Sequence, residues 1–324
     1  MGTSPDPTAR LRGESGENDQ HLPPLPHLEP RSSIGDVVVA AFTGPTGTIV
    51  DSDPVLRRHL DESERGADPV GAVGGPDGDL VHRTRVAARR LRSNLSSLRP
   101  FLDRPIVDPL RLELRWLGGS LGRVRDAQIL RAELVTHEGT RLLVADLDEQ
   151  LVDDERALRN ALESERCRTL LSDLLTAALS PPYRSTVQPD QRALPLLMER
   201  NRATWRQLRS AAATAAATGG DADVHELRKV VKRARYLAQL SSPVVGHEAE
   251  RATDRLAALQ DQLGLRQDAI DCQAWLARES TRLDSPTAFL AGQLEAAARF
   301  APARSADWEP AFRRALKHRP SRGR

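Results

Sequence analysis

Two basic segments of this chain have nearly the same sequence, and their residue types are those that bind anions. Both follow the pattern V-H-x-x-R-x-x-x-(R/K)-R-x-R, and the second begins 143 positions after the first. Guanidinium groups bind phosphate oxygens through paired hydrogen bonds, so these segments are suited to a phosphate-rich ligand. The matched basic residues are His82, Arg85, Arg89, Arg90 and Arg92, and then His225, Arg228, Lys232, Arg233 and Arg235.

Helical periodicity divides each segment into a basic side and an apolar side. At about 100° per residue, a narrow strip holds four basic positions of each segment, and we call each strip a basic ladder. Arg90 and Arg233 fall outside the strips, whereas Leu91 and Leu95 belong to an apolar stripe. We predict two helices that pack on a core and each present one ladder: His82, Arg85, Arg89 and Arg92, and His225, Arg228, Lys232 and Arg235.

A second motif follows each ladder at almost the same distance. Residues 121–127, L-G-R-V-R-D-A, align with residues 263–269, L-G-L-R-Q-D-A. The interval from ladder histidine to motif glycine is 40 residues in the first case and 39 in the second, which indicates a duplicated helical unit. The glycines are interpreted as helix C-caps and the aspartates as N-caps, with ion pairs to ladder arginines as a supplement: Gly122, Gly264, Asp126 and Asp268.

Positive and negative charges are segregated along this chain, although they nearly cancel in total. The 324 residues carry a formal net charge of only +2, but residues 82–92 hold five arginines and no acid. Such a local concentration indicates a focused anion site. Aromatic residues make up 3% of the chain, which disfavours a base-stacking surface for single-stranded nucleic acid.

Other site chemistries find little support in the sequence. Cys167 and Cys272 stand alone, so neither a disulfide framework nor a thiolate metal site is indicated. The ladder arginines would repel a metal cation. No Walker loop, G-x-S-x-G or H-E-x-x-H motif is present, so we assign no catalytic residue, no metal and no cofactor. Without an apolar leader or long apolar run, the expected location is the cytoplasm, away from the membrane.

The pattern of elements predicts an all-α protein, because no segment alternates with a period of two. Residues 1–33 have the composition of a disordered tail. A helical domain follows over 34–318, with a first half at about 34–182, a second half at about 190–318, and a tail at 319–324. Gly44-Pro45 is expected to interrupt the first helix. Later helices are predicted over 106–120, 125–135, 248–263, 266–281, 286–300 and 308–318.

The chain resembles the CHAD (conserved histidine α-helical domain) family. The resemblance covers about residues 36–318 and lies in V-H-R-T-R-V-A-A-R-R-L-R-S-N-L at 81–95, L-G-R-V-R-D-A at 121–127 and H-E-L-R-K-V-V-K-R-A-R-Y at 225–236. It implies two four-helix bundles related by a pseudo-twofold axis, with a basic channel between them that binds inorganic polyphosphate. All ten matched basic residues would belong to that channel. The family often carries a CYTH triphosphatase domain, for which this chain has no motif.

Three functions are compatible with the basic segments. The resemblance favours non-catalytic binding of polyphosphate, with polyphosphate granules as a candidate location. A nucleic-acid-binding helical protein could use the same ladders, although scarce aromatics and the near-neutral total charge disfavour it. A metal-dependent phosphohydrolase is the third alternative, and it lacks identifiable catalytic residues.

Overall fold

The protein is helical throughout the residues that its computed structural model describes, namely 22–65, 76–135, 141–279, 292 and 308–316. This architecture confirms the all-α prediction. The helices in these ranges are α1 (Ile34–Glu64), α2 (Pro76–Leu98), α3 (Arg104–Val135), α4 (Arg141–Glu163), α5 (Glu165–Leu179), α6 (Ala193–Thr218), α7 (Asp221–Val245), α8 (His247–Glu279) and α9 (Trp308–Leu316).

The helices form two groups, which we call the first bundle (α1–α5) and the second bundle (α6–α9). In the first, α2 packs between α1 and α3, while α4 and α5 cover α1 and α3. In the second, α7 packs between α6 and α8, and α9 lies on α8. The bundles meet where α2 contacts α7 and where α1 contacts α6 and α7. The core of the first bundle continues across this contact into Leu197, Leu240 and Val244.

α1 is one helix, although the sequence predicts a break at Gly44-Pro45. A proline lacks an N–H and therefore leaves the carbonyl four residues earlier without its helical donor. Here that carbonyl belongs to Ala41, and the buried side-chain amide of Asn94 in α2 donates to it at 3.0 Å. The predicted break is wrong because a neighbouring helix supplies the missing hydrogen bond.

α3 and α8 are also continuous where the sequence predicts two helices each. Leu121 and Val124, on either side of Gly122, are both fully buried, so one packing face runs through the glycine. That burial offsets the roughly 0.5–1 kcal/mol that glycine costs in a helix interior. The C-caps predicted at the glycines and the N-caps predicted at the aspartates are therefore wrong: Gly122, Gly264, Asp126 and Asp268 all lie inside helices.

Residues 22–33, which the sequence assigns to a tail, lie along the first bundle. Leu22 and Leu28 pack against its core, and Ser33 begins α1 through a capping box with Asp36. No helix in the described part of the chain is both long enough and apolar enough to cross a bilayer. Several predicted segments lie outside the described residues: 1–21, 319–324, and the helix at 286–300 apart from residue 292.

Candidate anion-binding site

α2 and α7 present the basic ladders beside their buried faces. In α2, Leu91 and Leu95 are fully buried, as the periodicity predicts. In α7, Leu227 and Val231 are equally buried. Most ladder residues are half-buried along the neighbouring face, and His82 is exposed: the half-buried set is Arg85, Arg89, Arg92, His225, Arg228, Lys232 and Arg235. Partial burial keeps these cations accessible while limiting their hydration.

The two ladders meet around a single tyrosine at the contact between α2 and α7. Arg89 Nε of α2 donates a hydrogen bond to the hydroxyl oxygen of Tyr236 at 3.1 Å. The guanidinium carbon of Arg235 lies 5.1 Å from the centroid of the same ring, within the range of a cation–π contact. Tyr236 itself is buried and therefore holds one arginine from each ladder at a fixed place.

Arg90 also lies at this junction, although helical phase alone places it off the ladder. Burial lowers the pKa of Arg90, and the positive charge of Arg235 lowers it further, while Tyr236 partly opposes the shift. Arg90 therefore faces α7 in the region where the bundles meet. Its counterpart Arg233 is different, because it is exposed and ion-paired with Glu226 at 3.3 Å.

Arg92 lies among other guanidinium groups, two of which come from α3. Burial lowers the pKa of Arg92, and three like charges lower it further in the order Arg115, Arg111 and Arg89. Arg111 donates a hydrogen bond from Nη1 to Asp108 at 3.0 Å, so its charge is partly balanced. Arg111 and Arg115 are not among the predicted ladder residues, although their spacing of four residues places them on one face of α3.

In the first bundle, Arg85 lies beside the glycine and the aspartate of the second duplicated motif, which are Gly122 and Asp126. Its Nη1 atom donates to Asp126 at 2.8 Å, and this contact is an ion pair between a motif aspartate and a ladder arginine of the kind predicted from the sequence. The guanidinium group lies 3.6 Å from the position that a Cβ on Gly122 would occupy. Gly122 and Asp126 are four residues apart, so both face Arg85 from one side of α3.

The described residues offer this site cations rather than metal ligands. Among them, no group of three His, Cys, Asp or Glu side chains is arranged to hold a metal ion. The junction instead collects Arg89, Arg90 and Arg235, with Arg92 alongside Arg89. An arrangement of this kind can bind several oxygens of a polyanion at once.

Comparison with known proteins gives a family and a fold. A family model described as the CHAD domain matches residues 55–277. Two uncharacterized proteins from Mycobacterium tuberculosis strains are each 29% identical over 260 residues, or 74% of this chain and 48% of theirs. The chain thus spans about half the length of these curated relatives.

Two solved structures share the architecture. The CHAD domain from the plant Ricinus communis has a TM-score of 0.65 at 20% identity, and the match covers 90% of this chain and 94% of that one. PptA from Streptomyces chartreusis has a TM-score of 0.61 at 21% identity, with 88% and 100% of the two chains covered. At such identities the likeness shows the fold alone.

Proposed function

The chain belongs to the CHAD domain family, and from that premise we propose that it binds inorganic polyphosphate without transforming it. The resemblance implies this ligand, and the ladders supply the chemistry that it requires. Polyphosphate is a flexible polyanion that offers oxygens in all directions and has no sequence to read. A row of guanidinium groups is suited to such a ligand because each fork can contact any phosphate unit.

The observation that carries the proposal is the junction of the two ladders at Tyr236. Arg89 and Arg235 come from different bundles, yet both contact the same tyrosine side chain. Arg90 lies close enough to Arg235 for their charges to interact. A polyanion at this junction would relieve the mutual repulsion of these cations, so binding gains from charges that the unbound protein holds together.

The expected strength follows from the partial burial of the ladders. Exposed ion pairs contribute about 0–1 kcal/mol each, whereas hydrogen bonds to charged groups in sheltered sites contribute about 1.5–3 kcal/mol. Several half-buried arginines along one ligand therefore support tight binding even after the cost of ordering the chain. Release of counterions should make the affinity fall as salt rises, as it does for nucleic acids.

The proposal is tested at the junction by the double variant Arg89→Ala with Arg235→Ala. We expect its affinity for long-chain polyphosphate to fall at least about tenfold, because two charge-assisted contacts are lost. Calorimetry measures the affinity, and circular dichroism checks that the helix content is unchanged. The control is Arg206→Ala with Arg209→Ala, which removes the same charge from exposed positions of α6. Equal affinities for the two folded double variants would refute the assignment.

A competition experiment separates this function from nucleic-acid binding by the same helices. Long-chain polyphosphate should displace labelled RNA or DNA at a concentration far below that needed for the reverse displacement. The ladders present cations without an accompanying aromatic series, so base stacking can add little to the affinity for a nucleic acid. Preferential retention of nucleic acid would favour the alternative function.

The absence of catalysis is part of the proposal and has its own test. The protein is incubated with polyphosphate and Mg²⁺ or Mn²⁺, and released phosphate is measured over time. No release above the level of a protein-free control is expected. Metal-dependent release that disappears in the junction variant would instead indicate a phosphohydrolase at this site. Association with polyphosphate granules in cells would follow from binding alone.

A further inference from the structure

α2 and α3 form an antiparallel pair with one ion pair near each end. Near the start of α2, Arg85 is bound to Asp126 at 2.8 Å. Near its end, Arg99 forms an ion pair with Asp108 at 2.6 Å. Because the early residue of α2 contacts the late residue of α3, and the reverse holds at the other end, the helices run in opposite directions.

Between these two ion pairs, both helices place basic side chains on the faces that they turn towards each other. Arg92 lies seven residues after Arg85, which is two helical turns and keeps it on the same face. Arg115 lies seven residues before Gly122, and Gly122 is the residue that contacts Arg85. Helix geometry therefore places Arg92 opposite Arg115, with Arg111 one turn farther along α3. We call the space between these facing residues the α2–α3 groove.

The electrostatics of Arg92 agree with this placement. Burial and the charges of Arg115, Arg111 and Arg89 all lower its pKa. Tyr236 partly opposes this shift, and Asp108 balances part of the charge of Arg111. A half-buried guanidinium surrounded by like charges is costly in the unbound protein, and a phosphate group in the groove would offset that cost.

α3 leaves room beside these arginines. A Cβ added to Gly118 or Gly119 would meet no atom within 4 Å, so the surface there is open. Arg89 of the ladder lies one turn from Arg92 on the same face of α2. The open surface therefore adjoins the region where the α2–α3 groove meets the junction with α7.

We propose that the α2–α3 groove is an additional phosphate subsite, in which Arg92, Arg111 and Arg115 bind one stretch of the polyphosphate chain. The subsite extends the ladder junction sideways onto α3. This inference rests on the proposed function, because it concerns a further part of the same anion site. The second bundle has no equivalent, since the positions of α8 aligned with Arg111 and Arg115 are Thr253 and Ala257.

The subsite is tested with Arg115→Ala, because Arg115 is exposed and its loss leaves the Asp108 ion pairs in place. The probes are tripolyphosphate and long-chain polyphosphate, and Arg206→Ala on α6 is the control for loss of one exposed charge. We expect Arg115→Ala to weaken tripolyphosphate binding about fivefold, and the control to change it less than about twofold.

A gain-of-charge variant provides an independent check. Ala257→Arg places a guanidinium on α8 where α3 has Arg115, and we expect it to strengthen long-chain polyphosphate binding. If the unaltered protein binds no polyphosphate of any length, the proposed function itself fails. If it binds long chains but Arg115→Ala and Arg206→Ala behave alike with both probes, only the subsite is overturned.

Discussion

The α2–α3 pair and the α7–α8 pair share one repeated sequence pattern, and they match in the ladders and in the core but not on the surface beside the ladders. Three leucines of α3 and three aligned leucines of α8 are almost completely buried: Leu114, Leu117 and Leu121, and Leu256, Leu259 and Leu263. The positions beside the ladders differ, because Arg111, Arg115, Gly118 and Gly119 in α3 align with Thr253, Ala257, Gln260 and Asp261 in α8. The two pairs therefore have the same core positions but differ in the charge of the surface beside the ladders.

The two halves of the proposed site therefore need not contribute equally to ligand binding. A core position tolerates little change, because a poorly filled interior costs several kcal/mol, roughly 2–5 for a leucine reduced to alanine. A surface position can exchange Arg for Ala at little cost to stability. Beside closely matched ladders, α3 thus carries two arginines where α8 has uncharged residues, and we expect the first bundle to contribute more to polyphosphate binding.

The largest difference between the bundles is expected when two ladder residues are removed from one bundle at a time and the affinity for polyphosphate is measured. We expect Arg89→Ala with Arg92→Ala to weaken polyphosphate binding about a hundredfold, because both lost contacts belong to the sheltered arginine cluster. The aligned variant, Lys232→Ala with Arg235→Ala, should weaken it about tenfold, since α8 has uncharged residues where α3 has Arg111 and Arg115. Calorimetric titration of both variants measures the ratio, and equal losses would contradict an uneven site.

A second difference between the bundles concerns stability rather than binding. Asn94 in α2 donates to the Ala41 carbonyl, which Pro45 leaves without a helical donor, whereas the aligned residue in α7 is buried Leu237. Asn94→Ala should lower the free energy of unfolding by about 1–3 kcal/mol, because a buried acceptor loses its donor. Urea denaturation measures this change.

The Pro45→Ala background supplies the control for that stability effect. Alanine at position 45 restores the helical N–H to the Ala41 carbonyl, so Asn94→Ala should cost less there than in the unaltered protein. A double-mutant cycle compares the two costs. Identical costs in both backgrounds would show that Asn94 acts through something other than the carbonyl freed by Pro45.

Glycine substitutions in α3 and α8 give a smaller and more even effect. Gly122→Ala and Gly264→Ala each replace a mid-helix glycine and should raise the free energy of unfolding by about 0.5–1 kcal/mol. The two gains should be similar, because a Cβ at Gly122 would lie at an ordinary contact distance of 3.6 Å from the Arg85 guanidinium group and a Cβ at Gly264 would meet nothing within 4 Å. Thermal melts of both variants test this expectation, and a loss of stability in either variant would contradict it.

Removal of the carboxylate that pairs with Arg85 is expected to have the smallest effect on polyphosphate affinity. Asp126 holds Arg85 at 2.8 Å and competes with phosphate for it, so Asp126→Asn should raise polyphosphate affinity about twofold at low salt. Asp153→Asn, which removes an exposed carboxylate paired with Arg156 on α4, is the matched control. A fall in affinity for Asp126→Asn would mean that Asp126 positions Arg85 for binding instead of competing with the ligand.

Much of the fold could be predicted because apolar periodicity reports directly on packing. The ladder helices and their buried faces follow from it. The continuity of α1 could not be predicted, since the donor for the Ala41 carbonyl comes from Asn94, 53 residues away in the chain. Local rules for proline and glycine describe an isolated helix, whereas contacts from neighbouring helices decide the outcome here.

The positions of the ladder residues on α2 and on α7 could be predicted, but the contacts between the two ladders could not. Repetition identifies the ladder residues, yet it says nothing about which of them lie near each other. The position of Arg90 depends on the packing of α2 against α7, and helical phase alone places it elsewhere. Arg111 and Arg115 were not predicted because the aligned positions in α8 are not basic, so they do not belong to the duplicated pattern.

The most direct test of the central claim is calorimetric titration of the unaltered protein with long-chain polyphosphate at two salt concentrations. Because the ladders meet at Tyr236, we expect one binding site per protein chain, at which both bundles contact the same ligand. The affinity should fall steeply with salt as counterions are released. Two independent, equivalent sites per protein chain, or an affinity that does not change with salt, would contradict a single shared polyphosphate site.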